Sequence, residues 1–469
     1  MMRPQGMGTP PDGFGEHKGA SALFSRAGEA YPAAGKAAMV IAILWIATIF
    51  SQLDRQLPAL LVKPIKHGLN LSDTQFSLIQ GYAFAVVYTV MGIPFGRLVD
   101  RTNRRNLIIF GLAMWSLMTV VSAMAESFLE LAIARMGVGV GEAVLAPAAY
   151  SIIADYVAPQ RRGKALAVYY VSLAIGSGAS LLIGGLMMSE IPAHGIALPF
   201  VGHIEAWQAA FLFAGLPGLP LIFLLFAIRE PVRRETAGAQ SGTFGEFLTY
   251  VYRNGATFFR VIAVATLLTI LGYGMLAWAP AYFDRTFGMG VGTAGPILGV
   301  LVAVAGLVGT LFSGWLSDRW LARGIVGARF RVTLLATAIL APAASLWPLM
   351  PTPWLGLGVL GLSIFGTSMA QAAAPPSLQD ITPNAMRGQA IALYLLIAGL
   401  LGIGFGPTSV ALVTDYVFKD EQALRWALVT VATPAALLAL WASWSGQAHY
   451  TRTRIQHLAT QKTAPAGMP

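Results

Sequence analysis

Twelve apolar runs, each long enough to cross a bilayer as a helix of about 20 residues, predict an all-α membrane protein of twelve transmembrane helices in two six-helix halves. Composition agrees: of 469 residues 56% are hydrophobic and only 11% charged, whereas soluble domains carry about a quarter charged residues. The third observation is where the basic residues lie. Of the 31 Lys and Arg, 24 fall in one set of alternating loops and tails and five in the other. Such alternation marks the cytoplasmic side of a multi-pass protein. It also accounts for the net charge of +10 without a nucleic-acid partner, whose basic stripe would not alternate from loop to loop.

Residues 1–36, rich in Gly, Pro and Ala, read as a disordered cytoplasmic tail, too long and polar for a signal-peptide n-region. The expected spans, numbered 1 to 12, are 38–63, 76–98, 106–124, 128–156, 165–187, 206–228, 258–283, 294–316, 332–350, 354–378, 387–415 and 424–446. An even number puts both termini on one side. The basic loops 97–105, 157–164, 229–257, 317–331 and 379–387, with the tails, make that side cytoplasmic and the expected location the inner, cell membrane. Loops 125–127, 188–205 and 351–353 on the other side contain no Lys or Arg; Lys63, Lys66, Arg285, Lys419 and Arg425 are the exceptions. Loop 229–257 is the longest cytoplasmic connection and divides the chain into a half at 37–228 and a half at 258–446, with a tail at 447–469.

Internal repetition supports the division. Gly96-Arg97-Leu98-Val99-Asp100-Arg101 after span 2 recurs as Gly314-Trp315-Leu316-Ser317-Asp318-Arg319 after span 8. The run from Asp155 to Arg162-Gly163 and on to Tyr169 recurs from Asp380 to Arg387-Gly388 and on to Tyr394. The offsets are 218 and 225 residues. Two elements recurring in the same order on equivalent loops describe two parallel repeats of six helices.

With Asp-Arg-x-x-Arg-Arg at 100–105, this organisation resembles the major facilitator superfamily. Arg135-x-x-x-Gly139-x-Gly141-Glu142-Ala143 resembles that superfamily's fourth-helix motif. Together with Asp54-Arg55 in span 1, it most resembles the spinster-like branch, proposed to export lysolipids and sphingosine phosphates. The second loop copy departs from the pattern, with Ala322 where the first has Arg104. The resemblance implies a secondary active transporter working by alternating access as a monomer, whose partners are the bilayer, a small amphipathic substrate and protons.

Asp54, Arg55, Arg135 and Glu142 are the charged residues placed well inside spans. Each costs about 2.5–3.5 kcal/mol at a bilayer centre on insertion scales, which makes function the default explanation. Arg135, Gly139 and Glu142 share one helix face, with the two charges roughly 10 Å apart along the axis. Counting residues from each membrane face places Arg135 level with Asp54 and Glu142 deeper, so the expected pair is Asp54–Arg135. Asp54 and Arg55 point about 100° apart and are not each other's main partner. Pro58 has no N–H and strips the Asp54 carbonyl of its helical hydrogen bond, so span 1 is expected to kink there. Gly137, Gly139 and Gly141 admit a neighbouring backbone, making the crossing of helices 1 and 4 the expected moving part. The four charges read either as a protonation switch or as a static pin between those helices.

The cytoplasmic helix ends carry Gly96, Asp100, Arg101, Arg104, Arg105, Asp155, Arg162, Asp318, Arg319, Asp380 and Arg387. Positive-inside anchoring explains part of this set; the aspartates at fixed offsets suggest ion pairs latching the two halves together. No cysteine occurs, so disulfides and thiolate metal sites are excluded. His17, His67, His194, His203, His449 and His457 fall in tails or loops; no metalloprotease His-Glu-x-x-His is present, and no Ser-His-Asp set falls at one membrane level. No enzyme, metal or cofactor is expected.

For substrate, the five asparagines all lie in loops or at span ends, which argues against a sugar, whose buried hydroxyls need partners. The spans offer aromatic and aliphatic surface with few polar groups: Tyr82, Tyr169, Tyr273, Trp278, Thr367 and Gln371, beside Arg55, Arg135 and Glu142. That suits an amphipath with an anionic head. A multidrug or organic-anion exporter is the alternative of the same class, and a non-transporting receptor or scaffold the alternative of another.

Overall fold

In the computed structural model, residues 31–199, 202–233 and 243–463 are described. They include twelve helices long and apolar enough to cross a membrane: Ala34–Leu60, Asp73–Arg101, Arg104–Ser122, Phe128–Tyr156, Pro159–Glu190, Ala206–Leu225, Gly255–Phe287, Val291–Ala322, Ala328–Leu349, Pro353–Asp380, Asn384–Phe418 and Glu421–Ala459. In hydrocarbon each backbone polar group must be satisfied inside the segment, which only a helix achieves along a lone strand of chain. Polar caps start several of them: Asn103, Ser127 and Thr352 each accept a hydrogen bond from a backbone N–H in the first turn. Both ends of the described chain lie on one face, called here the basic face.

The helices outrun the apolar segments. Span 12 is expected to end at 446, yet one helix runs Leu424–Thr463. Hydropathy detects the greasy stretch, whereas helix formers such as Gln, Arg, Leu and Ala carry the helix past the membrane boundary. The stretch at 229–257, expected as a loop, contains a helix, Phe244–Arg253, started by a reciprocal Thr243–Glu246 capping box and burying Phe247. A short hairpin, Ile196–Leu198 paired with Gly202–Ile204, sits between spans 5 and 6 where a loop is expected. Most of the N-terminal tail, residues 1–30, lies outside the described residues.

The two halves repeat each other in detail. Arg104 Nη1 meets Asp155 Oδ2 at 2.5 Å and the Ser151 carbonyl at 3.3 Å. In the second half Arg329 Nη1 meets Asp380 Oδ1 at 2.5 Å and the Pro376 carbonyl at 3.4 Å. Arg162 donates to the Ala154 carbonyl at 2.8 Å, and Arg387 to that of Gln379 at 3.1 Å. Each of these residues recurs 225 positions later. The counterpart of Arg104 is therefore Arg329 and not Ala322: a few extra loop residues shift the offset from 218 to 225, and the second charge cluster is intact.

The halves touch chiefly at mid-depth and toward the face opposite the basic one. Spans 5 and 8 meet through glycines, since a Cβ on Gly299 would stand 2.5 Å from the Gly178 carbonyl oxygen and one on Gly295 2.7 Å from Gly185 Cα. Spans 2 and 11 meet where Gly404 lies against the Tyr82 ring and Gly81 against the Gly404 carbonyl. Both helices carry π-turns there, Leu78–Ala83 and Ala398–Gly404, a local widening frequent at functional sites.

The span 4 glycines face other neighbours than expected. Gly139 packs on the Phe84 carbonyl of span 2, Gly137 on Met118, and Gly141 on the Gly111 carbonyl of span 3. Helix 1 instead meets this region through side-chain charge. Gly141→Ala would place a Cβ 2.6 Å from that Gly111 oxygen, backbone that cannot yield cheaply. A loss of about 1–3 kcal/mol is expected, measured as a lowered unfolding midpoint; an unchanged midpoint would show that spans 3 and 4 slide apart freely.

Candidate transport site

Span 1 is helical through Pro58 as far as Leu60, breaks at Leu61, and resumes as Val62–Leu69. The expected break thus comes three residues late, but its chemical consequence stands at Asp54. Arg135 Nη1 reaches Asp54 Oδ1 at 2.7 Å, and Nη2 donates to the Asp54 carbonyl at 3.1 Å, the acceptor that Pro58 leaves without its helical donor. Thr119 Oγ1 donates to the other carboxylate oxygen at 2.5 Å. Asp54 is 4% and Arg135 1% exposed. This cluster ties spans 1, 3 and 4 with every Asp54 oxygen occupied.

The second pair leaves one carboxylate oxygen unused. Arg55 Nε meets Glu142 Oε2 at 2.5 Å, and Ser51 Oγ donates to the same oxygen at 2.8 Å. Glu142 Oε1 is buried without a hydrogen-bond partner. Span 4 breaks immediately beyond, with Ala143 and Val144 in a turn before the helix resumes at Leu145. The Arg55 guanidinium lies over the rings of Tyr88 at 4.3 Å and Phe84 at 4.8 Å, whose faces attract the cation beside its Glu142 contact. Arg135 and Glu142 are thus two stations on one helix face, each with its own partner from span 1.

Arg55, Arg135 and Tyr273 line one cavity of about 30 Å³ with Gln56, Gln80 and Phe84. It is room for a water molecule, not for a lipid, and it lies where span 7 of the second half faces spans 1 and 2. Of the other residues picked from sequence, Tyr82 closes on Gly404 and Gln371 stands near Gly272 on span 7. Tyr169 is buried in the first half, where Thr48 donates to its hydroxyl at 3.0 Å. None of these three lines the cavity, and neither do Trp278 and Thr367. Trp278 is fully buried and donates to the Pro407 carbonyl at 2.9 Å, and Thr367 donates to Ser363 of its own helix at 2.9 Å. Both satisfy their polar atoms locally, as core residues do.

Sequence reasoning missed the strongest cross-half cluster. On the face opposite the basic one, Asp73 at the start of span 2 has no exposed side-chain surface and accepts from Arg285 of span 7 through both oxygens at 2.7 Å. Lys66 meets Asp73 at 2.5 Å and Glu421 at 2.6 Å. The Thr74 backbone N–H donates to Asp415 of span 11 at 2.7 Å. A signal existed: Lys66 and Arg285 are two of the basic residues that break the loop-charge pattern. Ser51, Thr119, Phe84 and Tyr88 carried no such signal.

On the basic face the charge clusters stay within halves. Arg104 pairs with Asp155 and Glu230; the Arg105 backbone N–H also donates to Glu230. Asp380 pairs with Arg329 and Arg454. Asp100, Arg101, Asp318 and Arg319 are exposed, and a Cβ at Gly96, Gly163, Gly314 or Gly388 would meet nothing within 4 Å. The expected latch is not formed here: the Asp155 and Asp380 ion pairs named above clasp each half to itself, and the Asp73 network joins the two at the other face. Because the chain has no cysteine, spin labels can be placed freely. Asp73→Asn is expected to broaden the label distance between His67→Cys and Gln422→Cys and populate longer separations; an unchanged distribution would mean the network does not hold that face closed.

Two repeated six-helix units, pinned at one face around a junction of buried charge, define a membrane transporter. The sequence profile of the Major Facilitator Superfamily matches residues 44–407, and the chain belongs to that family. It is 31% identical over 422 residues to an MFS-type efflux pump of Mycolicibacterium smegmatis, covering 89% of this chain and 94% of that one. It is 25% identical over 419 residues to protein spinster homolog 1 of Xenopus laevis, covering 83% and 75%. A bacterial homolog of the human lysosomal transporter spinster, solved inward-facing and unoccupied, superposes with a TM-score of 0.73 at 24% identity, over 91% of this chain and 99% of that one. Within the superfamily the chain is of the spinster-like type.

Proposed function

We propose that this protein is a proton-linked secondary transporter of the cell membrane that moves an amphipathic, lipid-like anion of the lysolipid or sphingoid-phosphate type. The observation that carries the reading is the Arg55–Glu142 pair beside the junction of the halves, with one Glu142 oxygen unpartnered. When Glu142 takes a proton, Arg55 loses its counter-charge and is freed to hold a phosphate or carboxylate; when the anion leaves, Arg55 recaptures the Glu142 carboxylate and the proton departs. Anion and proton thus bind together, each taking one member of the same ion pair. Asp54 and Arg135, with all Asp54 oxygens occupied, serve as the pin that keeps span 1 on span 4 while this exchange occurs. Aromatic Phe84, Tyr88 and Tyr273 suit the apolar part of the cargo.

With the basic face cytoplasmic and both termini on it, this conformation is closed outward by Asp73, Lys66, Arg285 and Glu421, while the Asp155 and Asp380 ion pairs of the inward face stay within their own halves. Alternation then means breaking that network and docking the exposed Asp100, Arg101, Asp318 and Arg319 ends. The similarity to an efflux pump favours a second reading, an exporter with a looser, organic-anion or drug pocket. The deciding experiment is a thermal-shift screen of purified protein against lysophospholipids, sphingoid phosphates and common drugs, followed by flux in proteoliposomes with and without a proton gradient. Stabilisation and gradient-dependent flux by an anionic lysolipid is the expected result. Stabilisation by cationic drugs alone would overturn the lipid assignment, and flux indifferent to the gradient would overturn the coupling.

A further inference from the structure

A second concavity, of about 980 Å³, lies away from the junction of the halves, between the basic-face ends of spans 8 and 9 and the helical extension of span 12. Its walls include Trp320, Arg331, Leu334, Leu335, Trp444 and Arg452, and no Asp or Glu lines it. The two arginines are distinctive. Arg329 and Arg454 are bound inward to Asp380. Arg331 and Arg452 lie two positions away on the same two helices, about 200° around, and so point outward into the groove. Both are exposed, and among the described residues neither guanidinium has an ion-pair or hydrogen-bond partner.

Depth sorts the remaining walls. Arg331 is in the first turn of the helix that begins at Ala328, at the membrane boundary. Leu334 and Leu335 follow one turn deeper, toward the hydrocarbon. Trp320 stands at the level where indole rings prefer the headgroup region, and Trp444, one turn deeper than the Gln447 that donates to the Phe330 carbonyl, lies level with the leucines. Cationic heads above an apolar wall, rimmed by tryptophan, complement a molecule with an anionic head and hydrocarbon chains. A free phosphate would leave the leucine and tryptophan surface bare. Span 12 is exposed here because its helix runs on past the bilayer, which leaves its outer side next to lipid headgroups rather than protein.

We propose that this groove is a binding site for an anionic glycerophospholipid of the surrounding bilayer, whose phosphate is held between Arg331 and Arg452 and whose acyl chains lie along Leu334, Leu335 and Trp444. The lipid braces the span 12 extension against span 9. It is separate from the transported cargo: no residue of the groove lines the Arg55 cavity.

The test compares wild type with R331Q/R452Q, delipidated and then supplied with phosphatidylglycerol or phosphatidylcholine, by native mass spectrometry and thermal shift. Wild type is expected to retain one more phosphatidylglycerol than the double variant. The variant should bind that lipid about thirtyfold more weakly, the combined worth of two basic residues at an anionic surface, with phosphatidylcholine binding unchanged. Equal unfolding midpoints of the two proteins in phosphatidylcholine alone show that the variant is folded. If it is not, quenching by brominated phosphatidylglycerol, compared between wild type and W444F, reads the site without removing charge. Loss of that quenching in W444F supports the site; equal quenching overturns it. Equal phosphatidylglycerol affinity in R331Q/R452Q, or a stabilisation produced by glycerol 3-phosphate as readily as by the lipid, also overturns it. So does a change of oligomeric state in the variant without a change in lipid retention, which would make this face an interface between copies.

Discussion

Glu142→Gln is expected to abolish gradient-driven accumulation of substrate while leaving the protein folded. The amide is nearly isosteric with the carboxyl and still accepts from Ser51 and Arg55, so packing around span 4 is kept. What it loses is the charge that competes with the substrate anion for Arg55. Proton-driven flux in proteoliposomes should fall by more than about tenfold, or 1.4 kcal/mol, while substrate-for-substrate exchange survives. Anion affinity should hold or tighten, because Arg55 is left uncompensated. In the wild type the same anion should bind more tightly as pH falls, since protonating Glu142 imitates the variant; in the variant that dependence should vanish. A variant that accumulates substrate like wild type would remove Glu142 from the coupling scheme.

Arg135→Ala is expected to be the more damaging change to the fold itself. Removing one member of a buried ion pair strands the other, at a cost of about 3–5 kcal/mol. Arg135 satisfies the Asp54 carboxylate and also the backbone carbonyl freed by Pro58. Its loss leaves two acceptors unpaired, and Asp54→Ala should cost less because the guanidinium retains that carbonyl. Asp54→Asn combined with Arg135→Gln should recover part of the loss, with a coupling of about 0.5–3 kcal/mol in a double-mutant cycle of thermal unfolding. Strict additivity of the two single losses would show that the pair is not the pin described here.

These two expectations rest on different parts of the chain's information. Apolar length and loop charge were enough for twelve spans, and fixed offsets between Asp155 and Asp380 were enough for two parallel halves. Helical periodicity was enough to put Arg135 level with Asp54. Each of these depends on local spacing or on partition between water and lipid, quantities a linear sequence carries. The ends of helices were less legible, as span 12 and the helix at Phe244–Arg253 illustrate, because helix propensity continues where hydropathy stops.

Partnerships between distant helices needed the assembled molecule. The sequence set Arg55 and Glu142 aside as two unmatched charges; the rotation of span 1 against span 4, and the rings of Phe84 and Tyr88 from span 2, make them a pair. The Arg329 counterpart of Arg104 was hidden by a loop of different length, and the Asp73 network by 212 residues between Asp73 and Arg285. The sequence by itself determined the membrane class, the spans, the repeat and the expensive charges, because burial in lipid penalises each residue one at a time. Only the tertiary structure decided which charge meets which, which face is pinned and which side chains share the cavity. Those outcomes depend on helix rotation and packing between segments, which no single span encodes.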